Sequence, residues 1–269
     1  MRTTLPDSHL NTICDYAEYL SILEGEFDYN EIPLDENDKP VVEIADVISV
    51  LEERAKWYGS QVPFIVGKNK VERVINIDNL DNYNHYLFCL YYALYGGADN
   101  KKASDIFELI TDSALKKYVG TENSILTSFS VSSDRTMKEK IHTIIHETKE
   151  NIGNIDYMPK KSKDGGIDIV TYKSLDNRGN QIIILTDATI GKNWMNKCLA
   201  PKLESWREYI FFKVSPITCV STVHVIDKDS IHNHSKGKGL LMDRTRIFRF
   251  YQVNDNLNTL LLNWKNEVC

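Results

Sequence analysis

The chain has 269 residues, 42% hydrophobic and 26% charged, values ordinary for a globular protein with a substantial core. Its N-terminus, MRTTLPDSHL, lacks the basic-then-apolar pattern of a secretory signal. The most apolar helical run, Tyr86 to Leu94, falls far short of the ~20 residues that cross a bilayer, so the expectation is a cytoplasmic protein with no membrane partner.

In chain order, Ser8 is placed to cap a first helix in which Leu10, Ile13, Cys14, Ala17 and Leu20 recur at helical spacing. The acidic, proline-bearing stretch from Asp28 to Pro40 reads as a loop. A second amphipathic helix carries Val47, Ile48, Leu51, Ala55 and Tyr58 and should stop at Gly59. Tyr83 to Tyr95 is apolar on all sides, as in a central helix. Gly96-Gly97 then marks a break.

A helix from Ser104 to Gly120 comes next, with Phe107, Ile110, Ala114 and Tyr118 on its stripe, and another from about Arg135 to Asn151. There the period changes. GIDIVTYK and QIIILTDA are strand-like runs joined by the turn-rich SLDNRGN, and Ile217 to Ile226 and Ile247 to Val253 are further strand candidates. Leu257 to Trp264 reads as helix. Helices before and after a small sheet imply a mixed α/β layer architecture. The predicted organisation is an acidic, mainly helical module at 1–100 and an α/β domain at 101–269. Charge divides the same way, with 18 acidic and 7 basic residues in the first part, a net of −11, against 20 and 25 in the second, a net of +5. A nucleic-acid-binding portion should concentrate positive charge in this manner, although uneven surface charge alone would give the same asymmetry.

The sharpest chemical feature is KDGGIDIVTYK followed by QIIILTDATIGKNW. Asp168 begins one strand beside Gly165 and Gly166, and Asp187 ends the next, 19 residues later. In an antiparallel hairpin those two ends are the same end, so the two carboxylates converge, with Lys192 in the turn beyond. Carboxylates hold a hard divalent cation, normally magnesium, which polarises a phosphate and lowers the pKa of an attacking water. A lysine nearby stabilises the negative charge that develops. Lys173, at the far end of the first strand, points to the other face and is the weaker candidate.

The GGID string, the hairpin, the acid and the lysine together resemble the PD-(D/E)XK nuclease superfamily, and DGGID in particular resembles its Mrr-like restriction endonucleases. The resemblance spans roughly residues 104–194 and implies a restriction-endonuclease-like mixed central sheet flanked by helices. It also implies Mg2+- or Mn2+-dependent hydrolysis of DNA and a bacterial restriction or antiviral defence role, with a second copy or a defence-system protein as partner. Carried over by position, Asp168 is the central metal ligand and Asp187 the second acid. Glu108, in the Phe107-Glu108 pair of the upstream helix, is an accessory metal ligand, and Lys192 is the catalytic lysine. The pattern departs at position 189, where a threonine stands two residues beyond Asp187 in place of lysine. A nuclease fold without catalysis, serving nucleic-acid binding or assembly, is the alternative that this departure favours.

Other patterns carry less. Five cysteines, Cys14, Cys89, Cys198, Cys219 and Cys269, form neither a CxxC knuckle nor an even disulfide set and read as reduced, mostly buried thiols. His142 and His146 are spaced i,i+4 but in the order HTIIHE, not HExxH, and read as a surface pair. IHNHSKGKG reads as a polar basic loop, and there is no Walker A, GxGxxG or GxSxG string. Lys197, Lys202, Arg207, Lys236, Lys238, Arg244 and Arg246 are available for phosphate contacts, whereas Trp194 and Trp206 read as core.

Overall fold

A computed structural model describes residues 4–97, 100–127, 136–157, 166–197, 200–235 and 237–268. The chain is mixed α/β and forms two compact units. The first comprises residues 1–97, 244–249 and 253–269, the second 98–243 and 250–252. The sequence reading kept 101–269 together. In the structure the chain returns to the first unit at Arg244, and the last helix packs on the central helix of that unit.

The first unit is built on helices α1 (Leu10–Glu24), α2 (Ile44–Tyr58), α3 (Asn84–Tyr95) and α9 (Asp255–Val268). Helix α1 follows His9 without a side-chain cap, so Ser8 does not play the expected role, and it ends where Gly25 takes the left-handed φ of 106°. The predicted stops at Gly59 and Gly120 are both found, the latter closing α4 (Lys101–Val119). Sequence periodicity missed a small antiparallel sheet, β1 (Glu26–Asp28), β2 (Phe64–Val66) and β3 (Lys70–Arg73) in the order β1-β3-β2, whose strands are too short to establish an alternation.

Four charges lie in the core of this unit. Arg54 Nη1 on α2 donates to Asp15 at 2.8 Å and to Glu18 at 2.7 Å on α1. Arg244 Nη2 reaches the same pair at 2.6 and 3.4 Å, and its Nε donates to the Tyr58 hydroxyl at 3.0 Å. Tyr58 and Tyr86 both donate to Glu18 Oε2. Burial pulls the guanidinium pKa values down, but the two carboxylates more than offset it and hold both arginines above their ordinary value. Arg244, expected to be available to phosphate, is therefore a fully buried core residue.

Helix α8 (Arg244–Phe250) replaces the strand predicted at 247–253. Its buried residues Arg244, Thr245, Ile247 and Phe248 fall at i, i+1, i+3 and i+4, a helical face that the run of bulky residues disguised.

The second unit centres on a five-stranded sheet in the order β10-β9-β7-β6-β4. Strands β4 (Ser124–Leu126), β6 (Ile169–Lys173) and β7 (Ile182–Thr189) are antiparallel neighbours, while β9 (Ile217–Thr222) and β10 (Leu240–Met242) continue in parallel. The parallel step from β7 to β9 passes through α6 (Ala200–Tyr209), the helical crossover that such a step requires. A two-stranded sheet pairs β5 (Asn151–Ile152) with β8 (Ile210–Phe211).

Both faces of the central sheet are covered. Ile183 and Leu185 of β7 pack with Val170, Val220, Ile141 and Ile144 of α5 (Met137–Thr148), and with Trp194 and Trp206, as expected of the tryptophans. On the other face, Ser221 Oγ of β9 lies 2.9 Å from Thr111 Oγ1 of α4, which packs on β6 and β7. Of the IHNHSKGKG segment read as loop, Ile231 to His234 belong to α7 (Lys228–His234), capped by Asp227 accepting from Ser230 N at 2.7 Å. Lys236 lies outside the described residues. Cys14, Cys89 and Cys219 are buried free thiols, and His142 and His146 are exposed.

Two measurements probe the first unit. Arg244→Met leaves Asp15 and Glu18 with one cation between them, and chemical denaturation is expected to show a loss of about 3–5 kcal/mol, typical of breaking a buried pair. A loss below 1 kcal/mol would mean that Arg54 alone suffices. Separately, burial against Phe248 pushes His85 from 6.5 down to about 3, a backbone hydrogen bond at Asn82 opposing the shift. The folded state keeps this imidazole neutral while the unfolded chain protonates it. Its contribution is therefore complete above pH 6.5 and is lost as pH falls toward 3, at up to about 1.4 kcal/mol per pH unit. His85→Phe should flatten the stability profile in that window, and an unchanged slope would contradict the assignment.

Candidate active site

Asp168 sits one residue before β6, where the main-chain ladder ends. Its amide donates to the Thr186 carbonyl at 2.8 Å, and its Oδ2 accepts from the Ala188 amide at 2.8 Å. These two bonds bracket residue 187. The hairpin register, Ile169 opposite Thr186, carries one step further to set Asp168 across from Asp187. The convergence read from the hairpin is thus present in the backbone.

Asp187 faces inward. Its partner across β9 is Val220, a member of the core shared by Ile183, Leu185 and Trp206, and only 2% of the residue is exposed. Two lysines meet it there: Lys197 Nζ donates to Oδ1 at 3.1 Å, and Lys202 Nζ donates to Oδ2. Lys202 also donates to the Gly166 carbonyl at 2.9 Å. Both lysines come from the segment after β7, Lys197 just past the 3-10 turn Lys192–Asn196 and Lys202 in the first turn of α6.

Glycine suits position 166 on two counts. Its φ of 72° favours glycine, and a Cβ would lie 2.5 Å from Lys202 Cε, so a side chain would push the lysine away. Gly165 lies outside the described residues. Thr127, just past β4, fastens the same loop, its amide donating to the Asp168 carbonyl at 2.8 Å and its hydroxyl to the Ile167 carbonyl.

The other sequence candidates lie on the turn after β7, on α4 and at the far end of β6. Lys192 opens the 3-10 turn and is exposed, and the lysines bonded to Asp187 are Lys197 and Lys202, which the sequence reading had assigned to phosphate contact. Glu108 is buried on α4, the helix that covers the face carrying Ser221, while Asp187 points to the opposite face with Val220. Lys173 donates to the Val119 carbonyl at 3.1 Å at the far end of β6. Arg207 pairs with Glu204 at 2.6 Å and with Ser215.

In comparisons with protein-family models, curated proteins and solved structures, no match to this chain was found. The chemistry of the site therefore rests on its residues.

Among the described residues, no group of three or more His, Cys, Asp or Glu side chains is placed to hold a metal ion. The donor set around Asp168 and Asp187 nevertheless suits magnesium, which takes one or two protein carboxylates and keeps several waters. The Lys202 ammonium, seated between a carboxylate oxygen and a carbonyl oxygen, stands where a cation finds oxygen donors.

The sequence reading missed Lys202, for which the one available cue is a weak one. A lysine in the first turn of a helix opposes the helix dipole, and no acid accompanies it there. Such a cation is held in place by something else, here Asp187.

Removing both lysines, as Lys197→Met with Lys202→Met, leaves Asp187 buried without a counter-charge. The expected cost is about 3 kcal/mol by urea denaturation, at the low end for a broken buried pair because both lysines are partly exposed. Adding Asp187→Asn should restore most of that loss. A triple variant no more stable than the double would show that the lysines act through packing and not charge.

Proposed function

We propose that the second unit is a restriction-endonuclease-like domain that hydrolyses nucleic-acid phosphodiester bonds, with DNA as substrate and Mg2+ or Mn2+ as cofactor. The observation that carries the reading is the Asp168–Asp187 pairing at one end of the β6–β7 hairpin, with two lysines converging on it. The architecture supports it, since a mixed sheet covered by helices on both faces is what the PD-(D/E)XK resemblance implies.

Asp168 and Asp187 would hold the metal. When bound, the ion supplies a Lewis acid that polarises the phosphate and activates the attacking water. Lys197 orients Asp187 from its Oδ1 side, and Lys202 supplies positive charge for the phosphate as negative charge builds on it. Lys192, exposed in the adjoining turn, serves as a phosphate contact along the strand. A bacterial defence or restriction role follows from the resemblance alone.

A second reading, a nuclease fold that binds nucleic acid without cutting it, draws on Thr189 and on both Asp187 oxygens being held by lysines. It expects DNA affinity that falls steeply with salt but no cleavage.

Asp168→Asn separates the two readings and tests the site. The amide keeps an acceptor for the Ala188 N–H, so fold and melting temperature should change little, while metal-dependent cleavage of a DNA panel should fall by about 100-fold or more. Equal cleavage by variant and parent would remove Asp168 from the site. No cleavage by the parent in Mg2+ or Mn2+, with salt-sensitive binding retained, would establish the second reading.

A further inference from the structure

Resting on the nuclease reading, we infer that Lys202 is a built-in counter-ion that occupies the cation position of the site and is displaced when a divalent metal binds. The geometry assigns this role to Lys202 and not to Lys197. Lys197 touches only the Oδ1 side of Asp187. Lys202 takes Oδ2 and at the same time the carbonyl of Gly166, two residues before Asp168. Its ammonium therefore lies between one aspartate and the backbone that leads into the other. Gly166 keeps that space open, because any Cβ there would collide with the lysine tip.

Charge makes the arrangement exclusive. With Lys202 in place, the four described side chains Asp168, Asp187, Lys197 and Lys202 sum to zero. A divalent cation that takes Asp187 Oδ2 puts two like charges within about 4 Å of each other, a repulsion of several RT at protein-like dielectric. Lysine is suited to yield, with a compact charge on a flexible four-carbon stem. Once released, its ammonium would be available to a phosphate. The lysine that stabilises the transition state is then delivered by metal binding and is withheld without it.

Two measurements on the full chain test this. In the first, Mn2+ affinity is read by electron paramagnetic resonance for the parent, Lys202→Gln, Lys197→Gln and Asp187→Asn. Removing the resident cation should tighten Mn2+ binding by about tenfold or more in Lys202→Gln, with a smaller change in Lys197→Gln and loss of binding in Asp187→Asn. In the second, which needs no variant, lysines of the parent are labelled by reductive methylation with and without saturating Mn2+ and quantified by mass spectrometry. Labelling of Lys202 should rise several-fold with Mn2+, and that of Lys213, which is held by the carbonyls of Lys149 and Arg178, should not. Mn2+ bound by the parent with Lys202 labelling unchanged or reduced overturns the counter-ion role and leaves the nuclease reading intact. Mn2+ bound no more tightly by folded Lys202→Gln than by the parent does the same. No Mn2+ binding by either the parent or Lys202→Gln overturns both.

Discussion

Asp187 is an acid near the end of the middle strand of a sheet covered on both faces, and pairing it there depends on the course of the chain beyond β7. An unpaired carboxylate at that depth costs several kcal/mol, so cations have to be brought to it. Both faces of the strand are occupied, one by α4 and the other by the Trp206 core, and among the described residues of the sheet none beside Asp187 is basic. The cations come instead from the chain just past the strand, which turns at Gly191 and enters α6 with Lys197 and Lys202 directed back at the carboxylate. The crossover helix that makes β9 parallel to β7 is thus also the element that neutralises the site.

The first unit solves the same problem with different material. Asp15 and Glu18 are one helical turn apart on α1, and burying both demands two cations. Arg54 comes from α2 and Arg244 from a segment more than 200 residues away in sequence. Arginine suits this position, since its fixed fork can bind two acids and a tyrosine at once, as Arg244 does. The contrast is physical. Arginines locked in a fully buried network have nowhere to go, whereas Lys197 and Lys202 are partly exposed and tipped by a charge that can move.

The sequence was legible wherever one period dominated over ten or more residues. The helices α1 to α5 and the β6–β7 hairpin were expected within a few residues of where they lie, because apolar stripes and left-handed glycines bound them. Short elements escaped: the strands of the β1-β3-β2 sheet have three or four residues, fewer than an alternation needs. Buried charge misled in another way. Arg54 falls on the same stripe as Val47, Leu51 and Tyr58, yet a charged residue is read by default as surface, and Arg244 was assigned to phosphate for that reason. At the site, the two aspartates were legible because register is a local property of a hairpin. The lysines were not, because 10 and 15 residues of turn and helix separate them from Asp187, and no spacing rule predicts where such a segment returns.

Thr189 links the buried acid, the turn beyond it and the two lysines. It stands two residues beyond Asp187, at the end of the same strand. In the fold its hydroxyl accepts from the Gly191 amide at 3.2 Å and so helps close the turn that ends β7. A lysine at 189 would share the face of Asp187 but would supply no such acceptor, and its ammonium would be fixed to the same strand as the acid it neutralises. With threonine there, the chain reverses at once into the 3-10 turn and α6, and the positive charge arrives on a separate element. The buried acid and the cations that neutralise it are therefore joined by one turn, because the turn that Thr189 helps to close sends the chain toward the segment that carries Lys197 and Lys202.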